Sequence, residues 1–283
     1  MTTAIVSALA EEQSSLVQHL NYPQRLMHAG RSFWRGDLQG RRVVLALSGI
    51  GKVAAATTAT ALIERFGVAR IVFTGVAGGV GDGVNVGDLV VAQAYVQHDM
   101  DASPLFPRWE LPGYARSRLD CDPALSAQLN DAAQACLAHQ AASIDGSDAQ
   151  VPAVVGGASR TCRVQPFQPT QPVQPSPRVH QGLIASGDRF VCAAEEVHRL
   201  RNALREAGHD VLAVEMEGAA VAQVCHDYGV PFAAVRTISD RADDSAHVDF
   251  PRFVQTVASH YAERIVLAFM QPQTQTQTLM QMQ

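Results

Sequence analysis

Residues 213–240 read AVEMEGAAVAQVCHDYGVPFAAVRTISD. From Met216 to Tyr228 small apolar residues (Ala219, Ala220, Val224) recur at helical spacing, and Gly229 followed by Pro231 is a helix stop. Phe232 to Ile238 is a short apolar run of β-formers that ends in Ser239-Asp240, which predicts a buried strand. Asp240 is thereby placed at the carboxyl end of that strand, the edge at which open α/β sheets bind ligands.

Working outward, the chain has 283 residues, 47% hydrophobic and 17% charged, enough for one buried α/β core. A single domain over residues 1–270 is expected, interrupted at about 140–181 and followed by an unstructured tail, 271–283. Twenty-two basic against 27 acidic residues give a net charge of −5, and no basic patch is present, so nucleic acid is excluded as a partner. The five cysteines are scattered without a C-x-x-C, which fits the reduced thiols of a cytoplasmic chain better than disulfides or zinc. Thr2 to Leu9 runs straight into Glu11-Glu12 with no basic segment before it and no cleavage site, so it reads as a first strand. No run approaches the roughly 18 apolar residues of a membrane span.

Ala4 to Leu9 predicts a buried strand, with a helix beginning near Ser14. Glu11 and Glu12 then lie on the sheet edge of Asp240, or serve as N-terminal helix charges. Arg41 to Leu47 is the next strand, followed by Ser48-Gly-Ile-Gly-Lys52 and a helix from Val53 to Phe66. Gly49, Gly51 and Ala54 match a dinucleotide fingerprint. No acidic residue ends the following strand, Arg70–Phe73, and no Ser or Thr follows Lys52 to complete a P-loop. The glycines read instead as a tight turn facing a ligand edge. Thr74-Gly-Val-Ala-Gly-Gly79 is a glycine loop suited either to packing or to close approach of a ligand.

Leu89 to Val96 is a further strand, ending in His98-Asp-Met-Asp101, too small a cluster to argue for a metal. Pro104 to Gly113 is an irregular loop whose Phe106 and Trp109 need covering by substrate or another subunit. Pro123 to His139 predicts an amphipathic helix. Between 140 and 181, Gln-Pro pairs recur every three residues (Pro166, Pro169, Pro172, Pro175), the period of polyproline II. Such a segment is a solvated insertion or a ligand for a proline-binding module, and its composition favours the former. Beyond it come a strand at Leu183–Ser186, a helix at Ala193–Ala207, a strand at Val211–Val214 and a closing helix at Pro251–Met270. Phe190, just past a strand end, is either core or a platform for a planar ligand.

Several of these stretches match one pattern in order: Ile5-Val-Ser-Ala8 with Glu11-Glu12, Ser48-Gly-Ile-Gly-Lys-Val53, Thr74–Gly79, Val86-Gly-Asp-Leu-Val-Val91, His98-Asp99, Ser186-Gly-Asp188, Val214-Glu-Met-Glu-Gly218 and Val235-Arg-Thr-Ile-Ser-Asp240. The chain resembles the bacterial 5′-methylthioadenosine/S-adenosylhomocysteine nucleosidases of the nucleoside phosphorylase superfamily. The resemblance implies a three-layer α/β/α sandwich with a central mixed β-sheet and hydrolysis of an adenine N-glycosidic bond, without cofactor or metal. It implies that Glu12 activates water, Asp240 binds or protonates adenine N7 and Glu217 holds the ribose hydroxyls. Met216 would lie against the sugar, Phe190 would pack on adenine and Arg236 would support the polar end of the site. Leu9, Val76, Ala77, Gly78, Val191, Glu215, Ser239 and Phe250 would complete the substrate-binding wall.

The residue types suit that chemistry, because cleavage puts negative charge on the purine and positive charge on the ribosyl carbon. Asp240 should then have a raised pKa, while Glu217, near a helix N-terminus, should stay charged. Val76 stands where these enzymes usually carry a serine, Leu9 where they carry a methionine, and loop 102–107 departs from their aromatic segment. A homodimer is expected whose neighbouring subunit brings loop 100–110 to the 5′ pocket. A phosphate-dependent phosphorylase and a nucleoside-binding domain without turnover are the rival readings.

Overall fold

In the computed structural model, residues 1–145, 176–241 and 253–271 are described. The chain runs β1 (Thr3–Ser7), α1 (Ala10–Gln18), β2 (Asn21–His28), β3 (Arg31–Leu38), β4 (Arg41–Leu47) and α2 (Lys52–Glu64). There follow β5 (Arg70–Gly79), β6 (Leu89–Gln97), β7 (Arg118–Asp120), α3 (Pro123–Asp145), β8 (Val179–Ser186) and α4 (Ala194–Glu206). The last part comprises β9 (Val211–Glu215), α5 (Gly218–Tyr228) and β10 (Phe232–Asp240), then a π-helical turn (Val254–Ala258) leading into α6 (Ser259–Met270).

Period-two alternation places each central strand between two cores. Ala4 and Val6 of β1, with Val44 and Ala46 of β4, pack under α2 and α5. Ile5, Val43 and Leu45 point the other way, under α1, α3 and α6. The three-layer α/β/α arrangement follows directly. Strand order is β10-β6-β8-β9-β5-β1-β4-β3-β2, and β10 also pairs with β5. Five strands therefore close into a ring (β5, β10, β6, β8, β9), from which β1, β4, β3 and β2 run out as an open sheet. β5 is the pivot, parallel to β1 and β10 and antiparallel to β9.

Several expectations are corrected. The glycine stretch 74–79 is strand rather than loop, because β10 pairs along it to Gly78 and β9 holds Gly78 and Gly79. Helix α1 starts at Ala10 rather than near Ser14, since the Glu12 carboxylate reaches back to the Leu9 N–H and closes the first turn. The β2–β3 hairpin was not expected: β2 is exposed throughout and shows no apolar alternation. Its turn, with Ala29 and Gly30 both at positive φ, is the two-residue type that suits a hairpin. Trp109 needs no other subunit to cover it, being 5% exposed with its indole N–H donating to the His98 carbonyl. The interruption is narrower than 140–181, as α3 continues to Asp145 and β8 begins at Val179. The proline repeat, Phe250, Pro251 and the tail beyond 271 lie outside the described residues.

The ring and α5 touch closely at Gly218, where an added Cβ would lie 2.3 Å from Cε1 of the fully buried Tyr95. Gly218→Ala is expected to destabilise the fold by about 1–3 kcal/mol through overpacking, read as a lowered denaturation midpoint.

Candidate active site

β1, β5, β8, β9 and β10, or the residues just past them, converge on one cavity. Its wall includes Leu9, Val76, Ala77, Gly78, Phe190 and Val191, together with Glu215, Met216, Glu217, Arg236, Ser239 and Asp240. Every sequence-predicted substrate residue within the described residues is thus on the wall. Glu12 lies just behind it, its Oε1 3.3 Å from where a Gly75 Cβ would stand. Any side chain at 75 would press on that oxygen.

Glu12 is fully buried while its neighbour Glu11 is exposed. Oε2 accepts the N–H groups of Ala8 (3.1 Å) and Leu9 (3.0 Å). Oε1 makes no hydrogen bond of regular geometry, and the Val76 backbone N–H is a further group that favours the charged form of the carboxylate. Burial pushes the pKa of Glu12 up; the Leu9 N–H and the charge of Arg236 offset only part of this. One carboxylate oxygen of Glu12 thus closes the first turn of α1, while the other faces Gly75.

Glu215 and Arg236 form the buried ion pair of the site, 2.7 Å apart. Arg236 also donates to the carbonyls of Phe73 and Val235 and stacks 4.1 Å above the Phe73 ring. The Glu215 carboxylate further accepts the Ser186 hydroxyl and the N–H groups of Glu217 (3.2 Å) and Gly218 (2.9 Å). Although Glu215 lines the cavity, its oxygens are committed to the protein, so it fixes the start of α5 and neutralises Arg236 rather than reading a ligand.

Glu217 is the N-cap residue of α5, and its Oε1 accepts the Gly51 N–H at 2.8 Å. It does not keep an ordinary carboxylate pKa. Burial, then the negative charge of Glu215, push it up to about 7, outweighing the Gly51 N–H and Arg236. Proximity to a helix N-terminus loses to desolvation here because the carboxylate is only 6% exposed as a residue. Asp240 ends β10 with Oδ2 accepting the Ser239 hydroxyl at 2.7 Å.

Arg236 pairs in register with Gly75 and Asp240 with Gly78. Three strand residues separate the Glu12 and Asp240 ends of the wall by ~10 Å. Phe190 is 45% exposed and its neighbour Val191 is buried, and both line the cavity. Sequence reading missed Ala8, Ile50, Gly75, Arg189 and Val214 on the same wall. Ala8, Ile50, Gly75 and Val214 lay within quoted motifs and could have been found there; Arg189 carries no signal of its own. Among the described residues no group of three His, Cys, Asp or Glu is placed to hold a metal, and no helix is long and apolar enough to cross a membrane.

A family model described as the phosphorylase superfamily matches residues 2–271. A 5′-methylthioadenosine/S-adenosylhomocysteine nucleosidase of Shewanella denitrificans is 34% identical over 266 residues, covering 94% of this chain and 97% of the relative. One from Anoxybacillus flavithermus is 34% identical over 270 residues, with the same coverage of each. Among solved structures, the Neisseria meningitidis nucleosidase in complex with methylthio-immucillin-A superposes with a TM-score of 0.73 at 32% identity, covering 95% of this chain and 97% of that one. The Colwellia psychrerythraea nucleosidase in complex with adenine gives 0.75 at 29% identity, covering 95% and 94%.

Proposed function

The chain belongs to the 5′-methylthioadenosine/S-adenosylhomocysteine nucleosidases of the phosphorylase superfamily, and from that membership we propose that it hydrolyses the N-glycosidic bond of those two nucleosides to release adenine. The observation that carries the mechanism is the pairing of a buried carboxylate oxygen on Glu12, without a regular partner, with Asp240 at the other end of the same wall. Phe190 and Val191 hold the base, and Glu217 accepts the ribose hydroxyls. Asp240 gives a proton to N7 as the bond from N9 to the anomeric carbon breaks. Glu12 takes a proton from the water whose oxygen bonds to that carbon, so charge is met at both ends.

Water rather than phosphate suits this cavity. Arg236 is already paired with Glu215, and a phosphate would lie beside Glu12 and Glu217. The test is adenine release from methylthioadenosine, adenosylhomocysteine, 5′-deoxyadenosine and adenosine, with and without phosphate. Release that requires phosphate overturns the hydrolytic reading, and tight binding without release favours a binding domain.

The pKa of Glu217 gives substrate binding a pH dependence. Its ionised form accepts the ribose hydroxyls, so KM should rise as pH falls through about 7, and Glu217→Gln should flatten that limb while weakening binding. For the free protein the sign is opposite. A carboxyl whose folded pKa is raised contributes stability below its unfolded value of 4.5 and loses it as pH climbs to about 7.

A homodimer completes the reading. Ile50 on the cavity wall is 63% exposed, and Val53 (77%) and Leu105 (83%) are further exposed apolar side chains. A second copy would cover them and bring its loop 100–110 to the 5′ substituent. A sedimenting monomer with full activity at high dilution overturns this. Cys121, Cys136, Cys192 and Cys225 are free, which supports a reducing, cytoplasmic setting.

A further inference from the structure

Three parts of the quoted motifs have no role in the chemistry above: Lys52, His98-Asp99 and Gly187-Asp188. They meet in space. The Lys52 ammonium donates to Asp99 Oδ1 at 2.5 Å and to Gln97 Oε1 at 3.0 Å. Asp99 Oδ2 accepts the Asp188 N–H at 2.9 Å, and Asp188 Oδ1 accepts the Lys52 backbone N–H at 2.6 Å. The circuit is closed, each of the three residues bonding the other two.

Its two ends are what matter. The amide preceding Lys52 is the Gly51 N–H, which holds Glu217. Two residues after Asp188 is Phe190, on the cavity wall. Consecutive amides of one turn thus hold the ribose acid and the base loop. Both glycines at this junction are obligatory: Gly51 has φ 93°, with Asp188 Oδ1 3.1 Å from an added Cβ, and a Cβ at Gly187 would lie 2.3 Å from the His98 ring. The circuit is also partly shielded, with the Lys52 side chain 17% and the Asp99 side chain 31% exposed. Burial raises the pKa of Asp99, but Lys52 and the Asp188 N–H more than offset this and hold it below the usual carboxylate range.

We propose that Lys52, Asp99 and Asp188 are positioning residues that form a clasp coupling closure of the Phe190–Val191 loop on adenine to the grip of Glu217 on the ribose. None of the three touches the reacting atoms. The inference rests on the nucleosidase reading, because it assigns base and ribose to the two ends of the clasp.

The test is Lys52→Met, which keeps the backbone N–H and removes the ammonium. With methylthioadenosine, KM should rise about tenfold while kcat stays within about threefold, because the clasp strengthens the hold on base and ribose equally in the ground and transition states. Lys52→Arg should recover most of the loss. In a double-mutant cycle with Glu217→Gln, Lys52→Met should add less than twofold, since its effect passes through Glu217. A purely structural role would lower the melting temperature and multiply with Glu217→Gln. An unchanged KM, an equal loss in kcat, or a multiplicative cycle overturns the clasp. Should Lys52→Met not fold, Asp99→Asn carries the same measurements. A wild-type protein that releases no adenine from any nucleoside would instead overturn the reading on which the clasp rests.

Discussion

Asp240→Asn is expected to lower kcat for adenine release by about 10²–10⁴ with little change in KM. Asparagine keeps the size and one acceptor oxygen, so Ser239 retains its partner and β10 its register. What it cannot do is give up a proton as negative charge builds on the purine. The loss should depend on the leaving group. A riboside of 4-nitrophenol, which departs without protonation, should be cleaved by the variant within about tenfold of the wild-type rate. If kcat for the nucleoside stays near normal, or if both substrates suffer equally, Asp240 is not the proton donor.

The second large effect is expected at the other end of the wall. Glu12→Gln should lower kcat by about 10²–10⁴ and remove the acidic limb of the profile of kcat against pH, as distinct from the KM limb set by Glu217. The amide oxygen can still accept the Ala8 and Leu9 N–H groups, so α1 keeps its start. Stability should be unchanged or higher, because burial opposes the charged form of Glu12 and the amide removes that charge. A variant that loses activity together with its melting temperature would point to a structural glutamate. One that keeps its acidic limb would place the base elsewhere.

What could be read from the sequence depended on how local its cause was. α5 and β10 were legible because helical spacing, the Gly229 stop and an apolar run are all written within a few residues. Gly229 indeed ends α5 in the left-handed conformation. The β2–β3 hairpin was not legible, since a strand exposed on both faces has no reason to alternate. The glycine stretch of β5 read as a loop because the strands that make it sheet, β9 and β10, lie more than a hundred residues away.

At the site, the residue types and their positions were legible, and their energetics were not. Glu217 looked like a charged helix terminus, yet its pKa follows from burial and from Glu215, which meet it only in the folded chain. Glu215 looked like a ligand contact. Its occupation by Ser186, Gly218 and Arg236 depends on β8, α5 and β10 meeting at the end of β9.

The closed ring of strands has a bearing on how such a protein can change over generations. β10 carries Arg236 and Asp240 and is paired on one side to β5 and on the other to β6, so neither residue can shift without disturbing strands that share its hydrogen bonds. Ile50 and Leu105 lie outside the named strands and are well exposed. Substitutions there meet little resistance from the core. Divergence is thereby expected to be channelled: positions locked into the ring resist replacement, while exposed positions outside the strands are open to drift.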